Sequence, residues 1–416
     1  MPRKIYIHIK ILAGVSEKNI LLRGAALNEL GIINNAYLKT NDKFIEDHGR
    51  MADLDFTALE AGTQIIDLTG KIILPSWVDS HTHLVHAASR EEEFIAKLKG
   101  ASYEEIAAMG GGILNSANKI ATISEDDLLE ISMTKLQTAI ASGTGAMEIK
   151  SGYGLSVEGE LKMLRVIKEM KRISPIPIKA SFLGAHGYPV AFKNNHQEYI
   201  RQIIKEMLPA IAKESLADYV DVFCERGFFS PEEMIQICIA AKEYGLLPKL
   251  HINQLNSIGG VKAGIALNAV SLDHLETLNG DEIKMIGDSK SIATLLPTAA
   301  FFLRMQYPPA RNLIDENAAV SIASDFNPGS SPSSNMNFVA AISAVQMKLL
   351  PHEVINAGTI NAAFAMDVQH LVGNIQEGKL ANFIITKQLS SLDYLFYDFA
   401  ANHISDVVVN GVCMGS

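Results

Sequence analysis

Cysteine is scarce in this chain, with Cys224, Cys238 and Cys413 the only three in 416 residues. They are odd in number and far apart, which argues against a disulfide framework and a clustered thiolate zinc site, and suits a reducing compartment. Positive charge is not in surplus either. The formal net charge is −10 and no block of like charge stands out, so no nucleic-acid partner is expected. Small molecules are the expected partners. No run of about 18 or more apolar residues exists, which leaves no candidate membrane span. The first ten residues alternate apolar and polar side chains, as a strand does and a signal peptide does not. A cytoplasmic protein is expected. Internal repeats and low-complexity tracts are absent as well.

What is present is an ordinary globular balance, 48% hydrophobic and 20% charged, enough for a large core. The texture divides the chain into residues 1–72, 73–367 and 368–416. The first part carries short β-like stretches at Lys4–Leu12, Gly31–Tyr37 and Gln64–Asp67, and the last returns to strands at Asn382–Thr386 and Ser405–Val409. The middle part holds eight candidate strands: Ile73–Asp79, Thr144–Ile149, Ile178–Leu183, Tyr219–Phe223, Pro248–His251, Ala269–Asp273, Ile292–Leu296 and Ala319–Ser324. Most are continuous apolar runs, as in strands covered on both faces. Segments such as Val157–Arg172, Gln197–Lys213 and Pro231–Tyr244 between them have the apolar spacing of amphipathic helices. Eight β-then-α units predict an α/β fold, a (β/α)8 TIM-like barrel of roughly 250 residues with an accessory domain. A doubly wound open sheet would need a switch point and usually a Gly-rich first turn, and neither is visible.

The polar residues fall where such a barrel gathers its chemistry. His81 and His83 follow the first strand, and Glu148, Lys150 and Tyr153 end or follow the second. His186 follows the third and Glu225 the fourth; His251 ends the fifth, His274 the sixth, and Asp325 follows the eighth. Strand C-termini converge on one mouth of a barrel. Of 12 histidines, five lie at these strand ends, which is hard to obtain by accident. The spacing His81-Thr82-His83 puts both imidazoles on one side of an extended segment. With His251 and Asp325 they make a set of three nitrogens and one oxygen that suits one divalent ion, zinc or iron. An isolated HxH pair can simply cap a turn; the strand-end His and Asp favour ligation. A lone strand-end His such as His274 is often a hydrogen-bonded core residue, but facing the same mouth it is expected to move protons. His86, one turn past the pair, stays unassigned.

Pro75-Ser76-Trp77-Val78-Asp79-Ser80-His81-Thr82-His83 resembles the first-strand signature of the amidohydrolase superfamily. More specific segments are similar to the imidazolonepropionase family along nearly the whole barrel. They include Arg90-Glu91-Glu92-Glu93-Phe94, Gly100-Ala101-Ser102-Tyr103, Gly110-Gly111-Gly112-Ile113 and the run from Glu148 to Leu155. Phe182–His186, Val220–Glu225, Pro309-Ala310-Arg311 and Ser324–Ser331 continue the likeness. It is patchy over the first 70 residues and generic in the tail, where Gly378–Phe383 resembles the return strand of the superfamily's small β-domain. The resemblance implies a small β-sandwich domain built from residues 1–72 and 368–416 around a barrel spanning 73–367.

For the site it implies His81, His83, His251 and Asp325 as metal ligands, with one Zn2+ or Fe2+/Fe3+ ion as cofactor. Arg90, Tyr153, His186, Gln254, Asn327, Gly329, Ser330 and Tyr103 are then implied to bind substrate. The implied reaction is hydrolysis of the cyclic amide of 4-imidazolone-5-propanoate to N-formimidoyl-L-glutamate, with a homodimer expected. Each role has independent chemical sense. A propionate carboxylate suits a bidentate guanidinium, Arg90, although that Arg could equally pair with its neighbours Glu91–Glu93. A planar ring with N–H groups suits Tyr153, His186 and Asn327. Two departures bear on mechanism. Asn253 stands where the family pattern has Asp, so an orienting acid is expected to be missing. Gln254 is an amide and can only hold or orient, which leaves Asp325 as the expected base with His274 assisting; the roles of Glu148, Lys150 and Glu225 stay open. Other readings are another amidohydrolase, acting on a different cyclic amide or deaminating an aromatic base, or a relative that keeps the barrel without catalysis.

Overall fold

The computed structural model describes residues 3–100 and 111–414. Tyr103, together with Ala101, Ser102 and Gly110 of the motifs above, lies outside them.

Eight parallel strands run through the middle of the chain in strict sequence order. They are β1 (Trp77–Asp79), β2 (Thr144–Lys150), β3 (Ile178–Ala185), β4 (Tyr219–Cys224), β5 (Leu247–Ile252), β6 (Ser271–His274), β7 (Ile292–Leu295) and β8 (Ala319–Ile322). Nearly every residue in them is buried, which explains why they read as largely apolar runs. The barrel is closed just beyond β1 and β8, where Thr82 bridges Phe326. There the Asp325 N–H donates to His81 O at 3.0 Å and the His83 N–H to Phe326 O at 2.9 Å. The seam of the barrel is therefore made of the segments that carry three of the four expected ligands.

Helices follow the strands as expected. Val157–Ile173 starts at Ser156, whose side chain accepts from the Gly159 N–H. Pro231–Lys242 opens with a capping box between Ser230 and Glu233, satisfying two donors that a helix start leaves free. The segment expected as one helix over Gln197–Lys213 is a helix from His196 to Glu214 interrupted by a π-turn at Ile203–Met207.

Both chain ends build a second, separate eight-stranded sheet. Lys4–Ala13 lies at its centre, antiparallel to Ile32–Asn41 and parallel to Gln64–Asp67 and Ile72–Pro75. Phe383–Thr386 then joins Ile72–Pro75 in antiparallel pairing. Tyr6, Ile9, Leu38, Ile73 and Phe383 fill its core. The expected single strand Ile73–Asp79 is split here: Ile72–Pro75 belongs to this sheet and Trp77–Asp79 to the barrel. Ser76 is the crossing point. Its N–H donates to Asn382 O at 3.2 Å, while the next N–H, of Trp77, donates to Gly143 O at 2.9 Å.

Candidate metal centre and substrate pocket

The inward positions of the barrel are charged rather than aliphatic. Glu148 and Lys150 on β2, Asp221 on β4, Lys249 and His251 on β5 and Asp273 on β6 are all buried. Above them, at the strand C-termini, His81, His83, His251 and Asp325 each offer one ligand atom, and these atoms lie within 4.8 Å of one another.

The proton inventory of this cluster calls for a cation. His81 Nδ1 is 2.6 Å from Asp273 Oδ2 and His251 Nδ1 is 2.8 Å from Asp221 Oδ2. A carboxylate only accepts, so each Nδ1 carries a proton, and a neutral ring then presents Nε2 as a lone pair. Yet His81 Nε2 and His251 Nε2 stand 3.1 Å apart, and His251 Nε2 and His83 Nε2 stand 3.3 Å apart. Asp325 Oδ1 adds a fourth donor, 3.5 Å from His81 Nε2 and 3.4 Å from His83 Nε2. Lone pairs converging at such distances repel unless an electrophile lies among them. The donor set, three imidazole nitrogens and one carboxylate oxygen, suits a divalent metal ion. Burial pushes the His83 and His251 imidazoles down toward the neutral, ligating form. Burial would raise Asp325, but hydrogen bonding from His81 and His83 in their protonated forms outweighs it and would hold the carboxylate well below its usual range.

The orienting acid expected to be missing is supplied from other strands. Asn253 turns away, donating to Thr277 O and Glu282 Oε1, both at 3.0 Å. Asp221 and Asp273 do the orienting instead. Neither was singled out in the sequence, although a lone acid inside an apolar strand was a visible signal.

A cavity of about 430 Å³ opens above the cluster. Arg90, Tyr153, His186, Gln254, His274, Asn327, Gly329 and Ser330 all line it, alongside His83, His251 and Asp325. Arg90 does not pair with its acidic neighbours. Its Nε and Nη2 donate to Ser116 Oγ at 3.1 and 2.8 Å, and its guanidinium lies 5.6 Å from the Tyr153 ring centroid. A Cβ on Gly329 would stand 2.6 Å from Arg90 Nη1, so only glycine leaves that guanidinium its place. Lys97 and Ser116, also near this end, escaped the sequence reading.

The other groups are fixed by their neighbours. His186 Nδ1 donates to Gly152 O at 3.0 Å, and its ring stacks on His83 at 5.3 Å. Burial, reinforced by His83, pushes His186 down to about 3, so its Nε2 is an acceptor. His274 sits at φ 84° with its Nδ1 3.2 Å from Glu276 Oε1. Burial lowers its basicity, but Glu276 and Asp325 outweigh that and raise it. Asn327 accepts from the Gly329 and Ser330 N–H groups at 2.8 Å, shaping the loop after β8. Glu225 accepts from Leu255 N and Asn256 N at 2.8 and 3.1 Å, which anchors the loop bearing Gln254. His86 donates from Nδ1 to His83 O at 3.0 Å and is a brace outside the ligand cluster. Non-glycine residues in the left-handed region gather at this mouth: Asn253, His274, Leu275 and Asp325. Each such backbone costs of order 1 kcal/mol and persists only where surrounding structure enforces it.

Comparison with known proteins follows the same line. A family model described as the amidohydrolase family matches residues 72–414. The imidazolonepropionase of Christiangramia forsetii is 47% identical over 405 residues, 97% of this chain and 98% of that protein. The imidazolonepropionase of Flavobacterium johnsoniae is 50% identical over 388 residues, covering 93% and 94%. Among solved structures, E. coli guanine deaminase superposes with a TM-score of 0.72 over 99% of both chains at 15% identity. A triazine hydrolase variant does so at 0.73 over 100% of this chain and 95% of its own, at 14% identity. At such identity these two likenesses speak for the fold alone.

Proposed function

The chain belongs to the amidohydrolase family, among its imidazolonepropionases, and from that premise we propose that it opens the ring of 4-imidazolone-5-propanoate. Water is added across the cyclic amide C–N bond to give N-formimidoyl-L-glutamate, a step of histidine degradation. The observation that supports this substrate best is Arg90, a guanidinium lining the same cavity as the His/Asp cluster.

His81, His83, His251 and Asp325 would hold one divalent ion, and zinc and iron suit this set alike. When bound, such an ion polarises the amide carbonyl and makes water nucleophilic near neutral pH. The chain's own groups do the rest. Arg90 takes the propionate carboxylate through a charge-assisted pair. His186, neutral and donating from Nδ1 to Gly152, offers Nε2 to a ring N–H. Tyr153, buried and held as a phenol, packs beside the ring. Asp325 Oδ2, 3.3 Å from Ser330 Oγ, accepts the proton of the attacking water. His274, with Nδ1 tied to Glu276, turns Nε2–H to the developing oxyanion, and the proton taken up by Asp325 passes to the leaving nitrogen, which restores both groups. Gln254 orients without titrating.

A cytoplasmic setting belongs to the same proposal, supported by three free cysteines. So does a homodimer, the commonest symmetric state for such enzymes. Among the described residues no helix is long and apolar enough to cross a membrane. The direct test is to incubate metal-loaded protein with imidazolonepropanoate and follow the ring chromophore. Persistence of that absorbance alongside a stoichiometric ion would refute the substrate.

A further inference from the structure

Beneath the ligand cluster lies a fully buried ionic layer that the reaction scheme does not use. The Lys150 Nζ, with a side chain 0% exposed, is 2.7 Å from Glu148 Oε1, 2.9 Å from Asp221 Oδ2 and 3.7 Å from Asp273 Oδ2. The oxygens matter. Asp221 Oδ2 is the atom that accepts from His251 Nδ1, and Asp273 Oδ2 is the atom that accepts from His81 Nδ1. One ammonium therefore lies within ion-pair range of both oxygens that fix the two imidazoles, close to the one on β4 and farther from the one on β6, on either side of β5.

Stability alone does not account for such a group. Apolar side chains of similar volume fill a barrel at lower cost than a buried ion network, which is often neutral or destabilising against a hydrophobic replacement. Glu148, Asp221 and Asp273 crowd three carboxylates into this layer, with Lys150 and Lys249 as the cations beside them. Without Lys150, Asp221 and Asp273 would lose a shared counter-charge, leaving the His251 N–H on Asp221 Oδ1 and the Ser271 hydroxyl on Asp273 Oδ1 as their remaining anchors besides the imidazoles. Each would then be freer to leave its imidazole, and a ligand ring without that partner can rotate or change tautomer.

We infer that Lys150 is a positioning residue of the metal centre, clamping the Asp221 and Asp273 oxygens so that His81 and His251 present bare Nε2 atoms to one ion. The inference rests on the reading that His81, His83, His251 and Asp325 bind a divalent cation.

The test uses the full chain as wild type, Lys150→Met and Lys150→Gln, each stripped of metal and titrated with Co2+ against a competing chelator. Circular dichroism and gel filtration of the apo proteins report folding, the competition gives Kd, and the visible d–d bands report ligand geometry. The expected result is a native apo fold in the variants, a Co2+ Kd raised tenfold or more, and displaced d–d bands. Wild-type Kd and bands in a folded variant would overturn the inference. Should Lys150→Met not fold, Lys150→Gln carries the comparison; collapse of both apo chains would assign Lys150 to stability and likewise overturn it. A wild-type chain that takes up no Co2+ would instead remove the metal reading underneath, a result separable from the other two.

Discussion

His81 and His251 face each other Nε2 to Nε2 at 3.1 Å, and as neutral rings bonded through Nδ1 neither would have a proton to give there. Each ring spends its N–H on its own aspartate. That arrangement is stable when a cation takes both lone pairs, so metal removal should be felt twice. Dialysis against a strong chelator is expected to abolish ring opening and to lower the thermal midpoint, with both restored by adding back one equivalent of Zn2+ or Fe2+. At a free ion concentration near 100 times Kd the ion contributes about 2.7 kcal/mol to stability by mass action. Calorimetry with and without chelator reads this directly, and identical melting curves would count against the site.

Arg90 separates an acid substrate from a neutral one. Arg90→Met is expected to lower kcat/KM for imidazolonepropanoate by about 100-fold, or about 2.7 kcal/mol, the order of a charge-assisted hydrogen-bonded pair. Most of the loss should fall on KM. Gly329→Ala presses on the same group, because the added Cβ would stand 2.6 Å from Arg90 Nη1 and the end of that flexible side chain must shift to admit it, so a smaller loss in the same direction is expected. Metal content should be unchanged in both. A specificity constant that survives Arg90→Met would mean that the carboxylate is held elsewhere.

His274 is held at φ 84° on the rim of the cluster, with Glu276 behind it. His274→Ala is expected to cut kcat by a factor of about 10² to 10⁴, the usual weight of a positioned acid or base, while the bound ion is retained. Elemental analysis of the purified variant decides the matter. Loss of the ion together with activity would move His274 into the ligand set.

Much of this was legible in the sequence, for a physical reason. Parallel strands covered on both faces are buried along nearly their whole length, so largely apolar runs announce the barrel, and polar residues at their ends stand out. His81, His83, His251 and Asp325 were found that way. The break at Ser76 was not, because Ile73–Asp79 reads as one β segment. Which sheet each half joins depends on Phe383 and Thr144, which lie far away along the chain. The orienting pair escaped for a related reason. Asp221 and Asp273 lie inside strands, where pattern alone suggests core, and their partners are set by barrel closure. Asn253 misled by position, since the family pattern places an acid there while the fold draws it from β4 and β6.

One pH effect arises away from the metal centre. Lys135 donates to Leu84 O at 3.3 Å and His86 O at 2.5 Å, tying its helix to the segment just past His83. Burial pulls its ammonium down to about 7, whereas the unfolded chain holds that proton to about 10.4. Between these values the unfolded state binds more protons than the folded one, so this group makes stability rise with pH across the window. Below about 7 both states are protonated and the full burial cost is felt. Lys135→Met has no proton to lose there. The urea midpoint of the wild type, measured relative to Lys135→Met at pH 7, 8 and 9, is therefore expected to shift steadily in favour of the wild type. A constant difference would show that the ammonium is as well solvated in the fold as outside it, and that the carbonyls of Leu84 and His86 fully replace its water.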